Sequence, residues 1–172
     1  QAERVRIHNK LLELHALIND SLHRLKLYEN PDPSQLVSSL NPTDHVEGKL
    51  RSLWLSYGPG EAELKKNYPT ASFKEVMHVQ IVLQQRDVGL YLVPGNVHTG
   101  KADREYFKRQ MNEVEYRKQF FTLLTSLGTA YWIQVVGDRR VVDTFANEEA
   151  LWEFTKSDEW MHYEFLIGRT YA

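Results

Sequence analysis

Apolar side chains recur with helical spacing at the start of the chain. Ile7, Leu11, Leu14, Ile18 and Leu25 follow one face of a 3.6-residue helix, with Ser21 filling the gap, and Leu12, Leu17 and Leu22 widen the stripe. This predicts a helix over residues 2–27, stopped near Asn30 because Pro31 and Pro33 cannot extend it. Asp32-Pro33 reads as a cap followed by proline at a first helical position, which predicts a short helix from Pro33 to Leu40. Asp44 and Glu47 have capping-box spacing, and Leu50, Leu53 and Trp54 form an apolar side, so a helix through Tyr57 is expected, ended by Gly58-Pro59-Gly60. Residues 61–72 are polar and read as a short helical turn followed by loop.

The period changes near Phe73. Met77, Val79, Ile81 and Leu83 alternate with His78, Gln80 and Gln84, which predicts a half-buried strand with a wet face. Gln85-Arg86-Asp87 is a turn, and Val88 to Val93 returns as the partner strand. A helix is expected from Asp103 to Leu127 on the stripe Phe107, Met111, Val114, Phe121 and Leu124, stopped by Gly128. Tyr131–Val136 and Arg140–Phe145 flank Gly137-Asp138-Arg139 as a second hairpin. Asn147 caps a short helix, and Met161 to Ile167 is a last strand.

The order is three helices, a hairpin, one long helix, a second hairpin, a helix and a closing strand. That order predicts an α+β fold with a helical N-terminal segment packed on a small, mostly antiparallel sheet. A single domain over residues 1–172 is expected, divisible at most into a helical part, 1–60, and a sheet-containing part, 73–172.

Composition excludes several classes. The net charge is −2 and the chain has no cysteine, which removes disulfides, thiolate metal sites and a cysteine nucleophile. Zero cysteine fits a reducing compartment, and a cytoplasmic location is expected. No run of about 18 apolar residues is present, so no membrane span is expected, and no basic-then-apolar signal pattern opens the chain.

Four groups of residues carry candidate chemistry. Gly95, Gly100 and Lys101 have the spacing of a phosphate-binding loop, with His98 inside it as a proton carrier, but Ala102 stands where such a loop needs a hydroxyl for magnesium. His78, with His162 and Glu164 on the last strand, would form a polar site for proton transfer or metal binding if the two strands were neighbours; a solvated sheet face is the preferred reading. Arg104, Lys108 and Arg117 would track a nucleic-acid backbone, although interleaved acids dilute the stripe. The last quarter is crowded with aromatics, including Tyr131, Trp132, Trp152, Phe154 and Trp160. No motif names a cofactor or a metal ligand set. The preferred expectation is a binding or interaction module acting through self-association of the first helix, as a dimer, or through the aromatic C-terminal surface. A nucleotide- or phosphate-binding enzyme, or a metal-dependent one, is the alternative, and a nucleic-acid-contacting domain is the weaker one.

Overall fold

The computed structural model describes residues 2–39, 52–84, 86–95, 101–158 and 165–171. Helices and strands are mixed along the chain, and β1–β3, β2–β3, β3–β4, β6–β7 and β6–β8 of its strands, whose ranges follow, pair antiparallel, so the protein is of the α+β class, as expected. The described residues form two compact units. The first comprises residues 1–73, 78–90 and 171–172, and the second residues 74–77 and 91–170.

In the first unit, helix α1 (Ala2–Arg24) lays Ile7, Leu11, Leu14, Ile18 and Leu22 against strand β3 (Ser52–Gly58). The helix ends three residues before the expected Leu27, and the reason is local. Lys26 takes a φ of 58°, its N–H bonds the His23 carbonyl, and the Leu27 N–H reaches back to Leu22. That is a Schellman closure, and it packs Leu27 beside Leu22 in the same core. Strand β1 (Tyr28–Glu29) follows at once. Asp32 caps only a 3-10 turn, Pro33–Gln35, and the chain then extends as β2 (Val37–Ser39) instead of continuing as a helix to Leu40.

Strand β3 corrects the helix expected through Tyr57. Leu53, Leu55 and Tyr57 lie at period two and are 3%, 0% and 0% exposed. β3 pairs with β1, β2 and β4 (Met77–Gln84), and these partners satisfy its backbone. Asp44, Glu47 and Leu50 lie outside the described residues. Burying a leucine as completely as Leu55 contributes about 2 kcal/mol. The strand order in this unit is β1-β3-β4, with β2 also on β3. Helix α2 (Glu61–Asn67) starts from Gly60.

In the second unit, which holds residues 91–94 of β5 (Val88–Pro94), the strand order is β5-β8-β6-β7, with β6 (Trp132–Val135), β7 (Asp138–Val141) and β8 (Phe165–Tyr171). The helix expected over 103–127 is two helices, α3 (Lys101–Met111) and α4 (Val114–Ser126). Glu113 between them is extended, with φ −84° and ψ 120°. Gly128, with φ +93°, lies just past the end of α4. Asn147 caps α5 (Glu148–Thr155) by accepting the Ala150 N–H at 2.9 Å. The core gathers Phe107, Met111, Leu124, Ile133, Leu151 and Phe165.

The β6–β7 turn falls one residue earlier than expected. Val135 pairs with Asp138, so Val136 and Gly137 are its two central residues, with φ 51° and 83°. Positive φ at both is the type I′ geometry, and a β-branched residue is strained there. Val136→Asn is therefore expected to stabilise the protein by about 1 kcal/mol and raise Tm by about 2–4 °C in thermal denaturation. An unchanged or lower Tm would contradict this account of the turn.

Candidate functional site

The site begins with the register of two strands. In the β1–β3 ladder Glu29 stands opposite Tyr57, and antiparallel partners share a face. Tyr57 belongs to the core shared with α1. His15 and His23, eight residues apart on α1, lie about 12 Å apart along the helix axis. Each imidazole meets one oxygen of the ladder. His15 Nδ1 is 3.0 Å from the Tyr57 hydroxyl and His23 Nε2 is 2.6 Å from the Glu29 carboxylate. The rings of His15 and Tyr57 lie nearly parallel, with centroids 6.0 Å apart. His23 leans on Tyr28 at 4.8 Å.

Burial pushes the Tyr57 phenol up to about 12, with the Glu29 charge adding to the shift. The hydroxyl thus stays protonated and must donate. Among the described residues its partner is His15. In the neutral ring Nδ1 accepts that proton, and Nε2 carries the imidazole hydrogen. At Glu29, burial works to raise the carboxyl. The His23 hydrogen bond, a backbone hydrogen bond and the nearby imidazoles outweigh it and hold the group below its ordinary 4.5.

Beside this cluster lies a cleft of about 560 Å3. Tyr28, Pro31, Pro33 and Leu36 supply its apolar wall. His15, Lys26, Glu29 and Asn30 bring polar groups to it, and Glu61, Ala62 and Glu63 of α2 also line it. Asn30 is 7% exposed; its Oδ1 accepts the Asp32 N–H at 3.1 Å. Gly60 fits because the Tyr28 ring stands 3.1 Å from where a Cβ would be. Size and lining fall in the range of small-molecule sites.

The residues singled out in sequence are placed elsewhere. His98, Gly100, His162 and Glu164 lie outside the described residues. Gly95 is buried at φ +71°, with its N–H donating to the Val93 carbonyl at 2.9 Å and its own carbonyl accepting from Arg104. Lys101 opens α3. His78 is 4% exposed, so its side of β4 is not the wet face expected there. It sits 3.0 Å from the Gln80 amide and against the Phe73 ring, where Gly58 has no Cβ to intrude.

The expected basic stripe does not form one surface. Arg104 is 1% exposed and donates to the Pro94 and Gly95 carbonyls at 3.0 Å; burial pulls its guanidinium below the ordinary value. Lys108 pairs with Asp158. Arg117 is buried and donates to the Met111 and Asn112 carbonyls at 3.1 and 3.3 Å. It also reaches Glu149 at 3.2 Å and lies over the Trp152 ring. It therefore holds the junction where α3 ends and α4 begins.

Trp132 and Phe165 of the aromatic tail are buried, while Tyr131, Trp152 and Phe154 pack against the second core. Trp160 and Tyr163 lie outside the described residues.

Sequence reasoning missed His15, His23, Glu29, Asn30 and Tyr57. One signal was present: His15 sits beside Leu11, Leu14 and Ile18 on the apolar side of α1. Among the described residues no group of three or more histidine or acidic side chains is placed to hold a metal, and no helix is long and apolar enough to cross a membrane. The chain matches no family model, no curated protein and no solved structure.

A group whose pKa is lowered in the folded state stabilises the fold above its unfolded value and loses that contribution as pH falls through the folded one. Glu29→Gln is therefore expected to lower stability near neutral pH. Its deficit against the wild type should shrink below about pH 4.5, the ordinary value for this carboxyl. Denaturant titrations across pH test this, and a deficit independent of pH would contradict the His23–Glu29 assignment.

Proposed function

We propose that this protein is a ligand-binding module whose binding site is the cleft of the first unit. One observation carries the reading: the same cleft is lined by the apolar Tyr28, Pro31, Pro33 and Leu36 and by polar groups that the fold has already oriented, above all His15, fixed by the Tyr57 hydroxyl. Preformed clefts with an apolar body and a few convergent polar groups bind small molecules because little ordering entropy is lost on binding.

The expectation of a binding role is thus retained, with its site moved to the N-terminal unit. Self-association through the α1 stripe is not part of the proposal. Ile7, Leu11, Leu14, Ile18 and Leu22 are covered by the chain's own β3 core, and the large apolar residues exposed on α1 and just past its end, Val5, Leu17 and Leu25, are scattered.

Ala62 is exposed on α2 and lines the cleft, so Ala62→Trp fills the cleft without disturbing a core. The test is a thermal-shift screen of the full chain against small acids, amides, amines, phosphate esters and nucleosides. A compound present at about ten times its Kd adds about 1.4 kcal/mol, or roughly 3–5 °C in Tm. At least one compound is expected to do so with the wild type and to lose the effect with Ala62→Trp. No stabilising compound, or a shift of equal size in the variant, would contradict the assignment of this cleft.

A further inference from the structure

The polar groups of the cleft divide into committed and uncommitted ones. Glu29 is held by His23 at 2.6 Å. Glu61 is held by Lys65 at 2.6 Å. Glu63 and the donors are not consumed in this way among the described residues. With Nδ1 accepting from the Tyr57 hydroxyl, the His15 ring carries its hydrogen on Nε2. Asn30 spends its Oδ1 on the Asp32 N–H, and its amide Nδ2 is uncommitted among the described residues although the side chain is more than nine-tenths buried. Lys26 is exposed at the same cleft, and its ammonium is likewise uncommitted among the described residues. These donors open to the cleft, so a ligand that supplies acceptor oxygens can take hydrogen bonds from them, and a charged acceptor makes the stronger ones.

The acids bound the ligand's charge. Glu29, Glu61 and Glu63 lie in the same lining as the single lysine, which disfavours a doubly charged anion such as a phosphate monoester. The wall of Tyr28, Pro31, Pro33 and Leu36 asks for a flat apolar body.

Resting on the assignment of the cleft as the binding site, we infer that its ligand is a small monocarboxylic acid with a flat apolar body. The carboxylate accepts hydrogen bonds from His15 Nε2 and Asn30 Nδ2 and faces the Lys26 ammonium. The apolar body lies against Tyr28 and the two prolines.

Four probes with one ring and different head groups separate the alternatives: benzoate, benzamide, benzylamine and phenyl phosphate, each titrated against the full chain by NMR. Benzoate is expected to bind tightest, by about tenfold over benzylamine and phenyl phosphate, the difference one charge-assisted hydrogen bond makes. Asn30→Asp keeps the acceptor for the Asp32 N–H and replaces the donors with a carboxylate. It should weaken benzoate about tenfold or more, as should His15→Phe. Lys26→Asn alters an exposed residue whose φ of 58° suits asparagine, so it tests the same site without a folding penalty. It should weaken benzoate and leave benzamide unchanged.

If benzamide, benzylamine or phenyl phosphate binds as tightly as benzoate and Ala62→Trp abolishes that binding, the ligand class is wrong and the cleft assignment stands. Benzoate affinity unmoved by all three donor variants likewise overturns the ligand class. If no probe binds, or Ala62→Trp binds like the wild type, both proposals fail.

Discussion

A phenol placed in an apolar core is the constraint on which the first unit turns. Tyr57 is 0% exposed, between the leucines of β3 and the stripe of α1. Its ring contributes as any buried aromatic does, but its hydroxyl must find a partner or forfeit about 1–3 kcal/mol. His15 is that partner, 42 residues away in sequence. The bond fixes one point of α1 over the ladder, and a little more than two turns on His23 meets Glu29, the residue opposite Tyr57. Core packing and site geometry are one arrangement here. The same contact that satisfies the core presents an imidazole to the cleft in a defined tautomer.

The second unit uses its buried cations differently. Arg104 closes on the carbonyls at the end of β5, and Arg117 takes those left open where α3 stops. Helix ends and turns leave backbone acceptors without partners, and a planar guanidinium satisfies two at once. Arg117 stacks on Trp152, Arg139 on Trp132 and Arg140 on Phe154, so several cations of this half cover aromatic rings. Charge that looks like a binding stripe along the sequence serves here to hold chain ends and rings.

What was legible in the sequence was what local rules determine. The stripe of α1, the strand at β4 though not which of its faces is buried, the return of β5, the Asn147 cap and the Gly128 stop each depend on neighbours within a few residues. β3 was misread because Leu50, Leu53 and Trp54 match helical spacing as well as Leu53, Leu55 and Tyr57 match a strand; partners drawn from both sides of the sequence decide between them. The break after Met111 has no proline or glycine to announce it, since the side chain that stabilises it, Arg117, lies in the following helix. The candidate site was hidden for the same reason as β3. With Tyr57 assigned to a helix, neither its opposition to Glu29 nor its contact with His15 was derivable.

The most direct test of this account is the tautomer of His15. Long-range 1H–15N NMR of the imidazoles distinguishes a nitrogen that carries hydrogen from one that accepts. The account predicts a neutral ring with hydrogen on Nε2 and an unprotonated Nδ1 whose 15N shift reports a hydrogen bond, lost on Tyr57→Phe. Hydrogen on Nδ1, or a ring averaging freely between its two tautomers, would contradict it.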